Sequence, residues 1–142
     1  MLTTATTADE VLLRLESAGG MVHSYGLAAS QLDRLRKKNI PITVSVDKVA
    51  ASGGYMMACV CDYIIAAPFA VLGSIGVVAQ LPNFNRVLKH NKIDFELLTA
   101  GEYKRTLTLF GENTEKGREK FVNELEETHQ LFKQYVLSLI HI

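Results

Sequence analysis

A serine followed by two glycines, Ser52-Gly53-Gly54, stands between two segments of opposite structural preference. The β-branched run Ile42–Val46 before it predicts a buried strand, and the small residues at 56–61 after it predict a helix. Ser52 is therefore expected at a strand-to-helix turn, where unpaired N–H groups and the helix dipole favour negative charge. A serine placed there can attack an acyl carbon while the Gly53 N–H binds the oxyanion.

The two glycines fit this chemistry, because they remove side chains that would separate a substrate carbonyl from the backbone N–H groups. The same stretch also has a purely structural interpretation, in which Ser52 is a helix N-cap and the glycines serve close packing. A second glycine pair, Gly19-Gly20, ends a predicted strand and can likewise present backbone N–H groups. The sequence alone leaves both interpretations of the serine open.

A serine hydroxyl needs a neighbouring base, and the sequence offers two candidates. His23 follows the Gly19-Gly20 pair, and a Ser-His-Asp triad would use it as the base. Lys104 lies between a predicted apolar strand and Leu107. A lysine base has to be neutral, so burial must lower its pKa from about 10.4 to about 7–8. The simpler interpretations are an exposed or capping histidine and a solvated lysine beside Arg105.

The composition favours a single globular domain and argues against nucleic-acid, anionic-membrane and metal binding. The 142 residues suggest one domain, and a 48% apolar and 21% charged composition is typical of a globular fold. The 15 basic and 15 acidic side chains balance, so no basic field favours nucleic acid or an anionic membrane. Cys59 and Cys61 are interpreted as small buried hydrophobic residues. The four histidines lack metal-ligand spacing, and we expect neither a metal nor a cofactor.

The periodicity of apolar residues predicts alternating strands and helices, and so a mostly parallel α/β sheet. The uncharged stretch 63–85 contains Pro68 and Pro82, which favours short buried strands over a membrane helix, and the chain itself is expected to be soluble. The predicted order is a strand at 10–16, a turn at 17–20, a helix at 22–38, strand Ile42–Val46, the Ser52 turn with a helix to about 59, a strand at 62–66, a turn at 73–76, a short helix at 83–90, a strand at 95–98, and a long helix from about 115 capped by Asn113 or Thr114. The buried positions expected in the helices include Ala28, Leu32, Leu35, Phe84, Val87 and Leu88.

Five motifs in one register then carry a family resemblance. They are Leu15-Glu16-Ser17-Ala18-Gly19-Gly20, Ala50-Ala51-Ser52-Gly53-Gly54-Tyr55, Cys61-Asp62, Gly73-Ser74-Ile75-Gly76-Val77 and Gly101-Glu102-Tyr103-Lys104. Over residues 1–136 the chain resembles the signal peptide peptidase A group of bacterial Ser-Lys peptidases, and within it the SohB branch.

The resemblance implies a fold of the Clp-protease/crotonase type and a role for each matching residue. It implies Ser52 as the nucleophile and Lys104 as the general base, with Ser74 hydrogen-bonded to the lysine amine. It also implies that the N–H groups of Gly20 and Gly53 form the oxyanion hole. The implied substrates are extended peptides, such as cleaved signal peptides, with small or apolar residues beside the cut.

The resemblance also implies a homo-oligomeric ring attached to the bacterial inner membrane, in which the serine and lysine of one site can come from adjacent protomers. Compared with that family, we expect the peptidase domain at 1–136 to be incomplete at both ends, without the N-terminal membrane anchor. Residues 137–142 are expected to be a non-native tail, because they equal the translation of CTGTCTCTTATACACATC, a transposon end used in sequencing libraries.

Two other functions remain open at this stage. A crotonase-like acyl-CoA enzyme would suit the glycine pairs, but its acid/base glutamates have few counterparts, since after Asp62 the segment up to Gly101 offers only Asp94 and Glu96. A Clp-type peptidase would need a base histidine about one βα unit after Ser52, and 63–89 contains none. A non-catalytic ring or scaffold subunit is the other function that remains open.

Overall fold

The computed structural model describes residues 4–101 and 104–139. The described chain separates into two units, one comprising residues up to Gly76 together with those from Leu131 onward, and the other comprising Val77–Gln130. The elements in chain order are β1 (Val11–Arg14), α1 (Val22–Arg36), β2 (Ile42–Val46), β3 (Val49–Ala51), α2 (Gly53–Ala58), β4 (Tyr63–Ala66), β5 (Val71–Gly73), α3 (Asn85–His90) and α4 (Glu115–Leu139).

The first unit contains two small sheets, and every strand pair in them is parallel. The three-stranded sheet has the order β1-β2-β4, with Val11 opposite Ile42 and Thr43 opposite Tyr63. The two-stranded sheet pairs β3 with β5, so that Ala51 lies opposite Gly73. Parallel strands joined through helices confirm the predicted parallel α/β organisation.

The core of the first unit lies on the face of β2 that carries its even-numbered residues. Ile42, Val44 and Val46 are at most 1% exposed, because alternate side chains of a strand point to the same face. Val44 and Val46 form a second, smaller cluster with Leu15, Ala50 and Ala58, whereas Ile42 belongs to the main core, to which helix α1 adds Leu32 and Leu35, as predicted. The buried alanine of α1 is Ala29 and not Ala28 as predicted. At this end of the helix, the buried face is therefore shifted by one residue from the predicted face. The remaining buried residues of this core include Val11, Met56, Cys59, Val60, Phe132 and Val136.

Backbone N–H groups at the ends of β2 are bound by carboxylates. The Asp62 carboxylate accepts a hydrogen bond of 2.8 Å from the Ile42 N–H at the beginning of the strand. Beyond its end, the Glu16 carboxylate accepts hydrogen bonds from the N–H groups of Asp47, Lys48 and Val49 at 2.6–3.3 Å. These hydrogen bonds hold the turn between β2 and β3, which precedes Ser52 in the sequence.

Strand β4 differs from the prediction of a buried strand. All four of its residues are exposed, with Tyr63 at 67% and Ile65 at 61%. The apolar sequence correctly indicates a strand, but β4 lies at an edge of the sheet with β2 as its neighbour. Burial at an edge depends on what packs over the strand, which the sequence of the strand does not encode.

The second unit is organised by side-chain amides that bind backbone carbonyls. Asn83 donates to the carbonyl oxygens of Thr108 and Gly111 at 2.9 and 3.0 Å, and Asn85 donates to that of Phe110 at 2.8 Å. The strand predicted at 95–98 is wrong, because those residues are irregular. Hydrogen bonds from asparagine side chains to loop carbonyls require no periodic spacing of apolar residues. The sequence pattern therefore could not predict this arrangement.

The helices of the second unit have nearly the predicted positions. Helix α3 begins at Asn85, two residues later than predicted. Phe84 at its N-cap and Val87 within it are 44% and 57% exposed rather than buried. Helix α4 begins at Glu115, where the Thr114 hydroxyl accepts a 3.1 Å hydrogen bond from the Gly117 N–H. Thr114 is thus the predicted cap. Among the described helices, none is long and apolar enough to cross a bilayer.

The last turns of α4 bring Tyr135 to the core beside Cys59. Cys59 is buried and Cys61 is half-buried, and both are free thiols that donate to carbonyl oxygens of α2. Burial raises the pKa of the Cys59 thiol from 9.0 to about 11. Burial, and secondarily the charges of Cys59 and Asp33, raises the pKa of Tyr135 to about 12. These groups therefore favour the folded state only while they are protonated.

We expect the protein to lose stability at alkaline pH through these groups. A raised pKa means that the folded state holds the proton more tightly, so the stabilisation is complete below pH 9 and is lost as the pH rises toward 11. For Cys59 the loss of unfolding free energy is about 1–2 kcal/mol. Urea unfolding of wild type and Cys59→Ala between pH 7 and pH 11 measures it. Parallel pH profiles for the two proteins would contradict this account.

Candidate active site

Ser52 forms a turn between two regular elements, with β3 ending at Ala51 and α2 beginning at Gly53. The predicted strand-to-helix turn is confirmed, although the short strand β3 intervenes between β2 and the serine. Ser52 has φ 51° and ψ −119°, and a positive φ is uncommon for a residue other than glycine. Such strain persists only where the surrounding structure enforces it.

The backbone on both sides of Ser52 is held by hydrogen bonds. The Ser52 N–H donates to the Gly73 carbonyl at 2.7 Å, and the Ser52 carbonyl accepts from the Met56 N–H at 3.0 Å. The preceding Ala51 N–H donates to the Ser17 carbonyl at 2.9 Å. The pairing of β3 with β5 and with Ser17 therefore fixes the strained turn, and neither pairing was predicted from the sequence.

The Ser52 side chain takes no part in holding this turn. Ser52 occupies the N-cap position of α2, but its hydroxyl makes no capping hydrogen bond. The capping interpretation of this serine is therefore wrong. Its hydroxyl is on a partly exposed residue and is not committed to the helix.

The Gly19-Gly20 turn lies directly against the Ser52 turn. Ser17 leads into it and pairs with β3 by an N–H bond of 2.8 Å to the Val49 carbonyl. Gly19 has φ +97°, and a Cβ there would lie 2.7 Å from the Ser52 Cβ and 2.9 Å from the Gly53 nitrogen. Only glycine permits this approach, because it lacks a Cβ and adopts a positive φ without strain.

Two backbone N–H groups flank the serine. Within the described part of the chain, the N–H groups of Gly20 and Gly53 donate no hydrogen bond. Gly53 opens α2, whose first N–H groups have no partner inside the helix. Unpaired N–H groups of this kind favour negative charge.

Of the two interpretations of Gly53 and Gly54 that the sequence left open, the structure supports close packing. A Cβ on Gly53 would lie 2.4 Å from Cγ of Tyr25, and a Cβ on Gly54 would lie 2.4 Å from the Ser17 carbonyl oxygen. Both missing side chains thus face other parts of the protein. Their absence permits close packing of α2 against α1 and the Ser17 strand segment, rather than opening a path for a substrate.

The other predicted site residues occupy separate positions. Ser74 directly follows Gly73, the residue that accepts the Ser52 N–H, and it is exposed with φ 53°. His23 is exposed in the first turn of α1. Lys104 belongs to the second unit, where it is exposed and its N–H donates to the Gly101 carbonyl at 3.3 Å.

Some predicted features lie outside the described residues. Glu102 and Tyr103 of the lysine motif are among them, as are residues 140–142 of the predicted tail, whereas 137–139 continue α4. In the described ranges, no group of three or more histidine, cysteine, aspartate or glutamate side chains is arranged to hold a metal ion.

Comparison with protein families agrees with the sequence motifs. The model described as "Peptidase family S49" matches residues 34–139, and "Peptidase family S49 N-terminal" matches residues 1–32. The chain belongs to peptidase family S49. The two matches together cover the Gly19-Gly20 turn, the Ser52 turn and Lys104. The predicted family resemblance is therefore confirmed.

Relatives of this S49 chain carry the name of the predicted branch. A "Probable protease SohB" of Buchnera aphidicola subsp. Schlechtendalia chinensis is 71% identical over 92% of this chain and 43% of the relative. A "Probable protease SohB" of Haemophilus influenzae is 68% identical over 96% of this chain and 38% of the relative. The chain therefore spans about two fifths of the length of these relatives.

Because Ser52 has a strained backbone, we expect the glycine variant at this position to be more stable than the alanine variant, the reverse of the usual order. At an ordinary position glycine is less stable than alanine by about 0.5–1 kcal/mol. At φ 51° we expect Ser52→Gly to be more stable than Ser52→Ala by about 1 kcal/mol, because only alanine retains the strain. Urea unfolding of the two variants decides this, and a more stable Ser52→Ala would show that the turn is unstrained.

A matched pair of helical glycines tests the packing around the site. Gly54→Ala should lose about 3 kcal/mol or more of unfolding free energy, because its Cβ meets the Ser17 backbone. Gly26→Ala, inside α1 with no atom within 4 Å of the new Cβ, should gain about 0.5–1 kcal/mol. Thermal unfolding reports both. Equal effects at the two positions would refute the close contact at Gly54.

Proposed function

We propose that this S49 chain provides the catalytic serine and lysine of a peptidase that acts through an acyl-enzyme. The observation that supports this most directly is the Ser52 turn. Ser52 is strained, makes no capping bond, and lies against the Gly19-Gly20 turn with the N–H groups of Gly20 and Gly53 unpaired nearby. Strain, an uncommitted hydroxyl and unpaired donors together are typical of an activated nucleophile with an oxyanion hole.

In the proposed reaction, Ser52 Oγ bonds to the carbonyl carbon of the scissile peptide while its proton passes to the neutral amine of Lys104. The carbonyl oxygen becomes an oxyanion, which accepts hydrogen bonds from the Gly20 and Gly53 N–H groups. The C–N bond then breaks, and the leaving amine takes the proton from Lys104. A water molecule then gives a proton to Lys104 and attacks the ester carbonyl carbon. The ester C–O bond breaks, the carboxylic acid leaves, and the proton on Lys104 returns to Ser52 Oγ.

Lys104 has to be desolvated and close to Ser52 for these steps. It is exposed within the described chain, so the proposal requires that other parts of the longer enzyme or an adjacent protomer cover it. We assign Ser74 to hold the lysine amine by a hydrogen bond, since it directly follows the residue that binds the Ser52 backbone. The proposed assembly is a ring of identical subunits, with the dyad formed within or between protomers.

The proposed substrates are extended peptides with small or apolar residues beside the cleaved bond, including signal-peptide fragments. Within the proposal, the parallel sheets and flanking helices form part of a Clp-protease/crotonase-like fold. The longer protein would be attached to the bacterial inner membrane by a segment preceding this chain. The mechanism transfers only protons and an acyl group, so it needs no cofactor.

Labelling with a fluorophosphonate tests the nucleophile and the base together. The S49 chain should be compared with a chimera in which residues 1–136 replace the matching segment of the Haemophilus influenzae relative. In the chimera we expect a single adduct on Ser52 by intact mass and peptide mapping. Ser52→Ala should abolish the adduct, and Lys104→Ala should slow its formation by about 100-fold or more.

The outcomes separate the candidate functions. Labelling of the chimera but not of the isolated chain would mean that the flanking segments complete the site around Lys104. A chimera that folds, as judged by circular dichroism and cooperative unfolding, but takes up no label would refute the nucleophile. The non-catalytic ring subunit would then be the better description. Unchanged labelling in Lys104→Ala would refute the lysine base alone.

A further inference from the structure

Tyr25 in α1 contacts both residues whose N–H groups flank Ser52. A Cβ on Gly53 would lie 2.4–2.8 Å from three Tyr25 atoms, and a Cβ on Gly20 would lie 2.9 Å from Cε2 of the same ring. The two glycines therefore pack on one aromatic side chain, which is half-buried. One side chain thus contacts both the glycine turn and the first residue of α2.

The Tyr25 hydroxyl belongs to a closed set of hydrogen bonds around Gly19. It donates to the Gly19 carbonyl at 3.2 Å and lies 2.7 Å from the Ser17 hydroxyl oxygen. The Ser17 hydroxyl in turn accepts the Gly19 N–H at 3.2 Å. Because the tyrosine proton goes to the carbonyl, the serine must donate to the tyrosine oxygen. Both polar backbone groups of Gly19 are thereby bound.

The bond to the Gly19 carbonyl also determines the direction of the next N–H group. The Gly19 carbonyl and the Gly20 N–H belong to one planar trans peptide unit, in which they point in opposite directions. Fixing the carbonyl toward the Tyr25 hydroxyl therefore fixes the Gly20 N–H away from it. Glycine on both sides of a peptide unit gives little steric resistance to its rotation, so a hydrogen bond has to supply the constraint.

We propose that Tyr25, with Ser17, is a positioning residue that orients the Gly19–Gly20 peptide unit so that the Gly20 N–H meets the substrate oxyanion. This proposal rests on the proposed function of Ser52 and extends it to residues that do not touch the substrate. An oxyanion donor acts mainly on the transition state, so its misalignment lowers kcat more than it changes KM.

Tyr25→Phe in the chimera provides the test, because it keeps the ring against Gly20 and Gly53 and removes only the hydroxyl. With a quenched peptide containing alanine and leucine around the cut, kcat per titrated Ser52 should fall by about 10- to 100-fold, with KM within about twofold. Ser17→Ala should act in the same direction. Tyr135→Phe removes a hydroxyl from another half-buried tyrosine of the same unit and should leave kcat unchanged.

Two readouts distinguish positioning from a merely structural role. A structural role would lower the unfolding midpoint of Tyr25→Phe while leaving kcat per titrated site unchanged, and that result overturns the proposal. Independently of activity, a crystal structure of the Tyr25→Phe chimera should show the Gly19 carbonyl rotated from its wild-type direction. An unrotated peptide unit overturns the proposal even if the wild-type chimera hydrolyses no peptide, which would separately refute the proposed function.

Discussion

The hydrogen bond from the Ser52 N–H to the Gly73 carbonyl is the constraint on which the site depends. It joins the end of β3 to the end of β5 and holds Ser52 at a positive φ. The Met56 N–H holds the following carbonyl, so the strained residue has no freedom to relax. The cost of such a conformation, about 1–3 kcal/mol, is offset by strand pairing and by the burial of α2. The serine side chain contributes nothing to this arrangement and remains available for chemistry.

Ser17 connects this constraint to the neighbouring glycine turn. Its N–H and carbonyl pair with β3, its carbonyl also packs against Gly54, and its hydroxyl binds Gly19 and Tyr25. Ser17 thus contacts the strand that leads to Ser52, the helix that follows Ser52, and the glycine turn that carries the second of the two N–H groups in the proposed oxyanion hole. Substitution of Ser17 or Tyr25 would therefore alter the backbone around Ser52, although neither residue needs to contact a substrate.

Sequence patterns predicted the parts of this fold that depend on local signals. Strand Ile42–Val46 has the predicted bounds because it is central and β-branched, and α4 begins at its predicted cap, Thr114. Strand β3 was missed because three residues are too short for a period to appear. The strain at Ser52 and the packing of Gly53 on Tyr25 arise from segments distant in sequence. The change from a β-branched run to small residues predicted the serine turn, whereas only the structure relates Ser17 and Tyr25 to it.

The parallel pairing of β3 with β5 has a consequence for biosynthesis. Parallel neighbours are joined by long connections, and here the Ser52 backbone is completed by a residue 21 positions later, with Ser17 35 positions earlier. Contacts between residues distant in sequence form late in folding, because the chain loses the entropy of loop closure before the contact stabilises it. A nascent or partly unfolded chain therefore contains Ser52 but lacks the strained turn around it. With Ser52 as the proposed nucleophile, this order of events means that only the completed fold presents that residue in its strained turn.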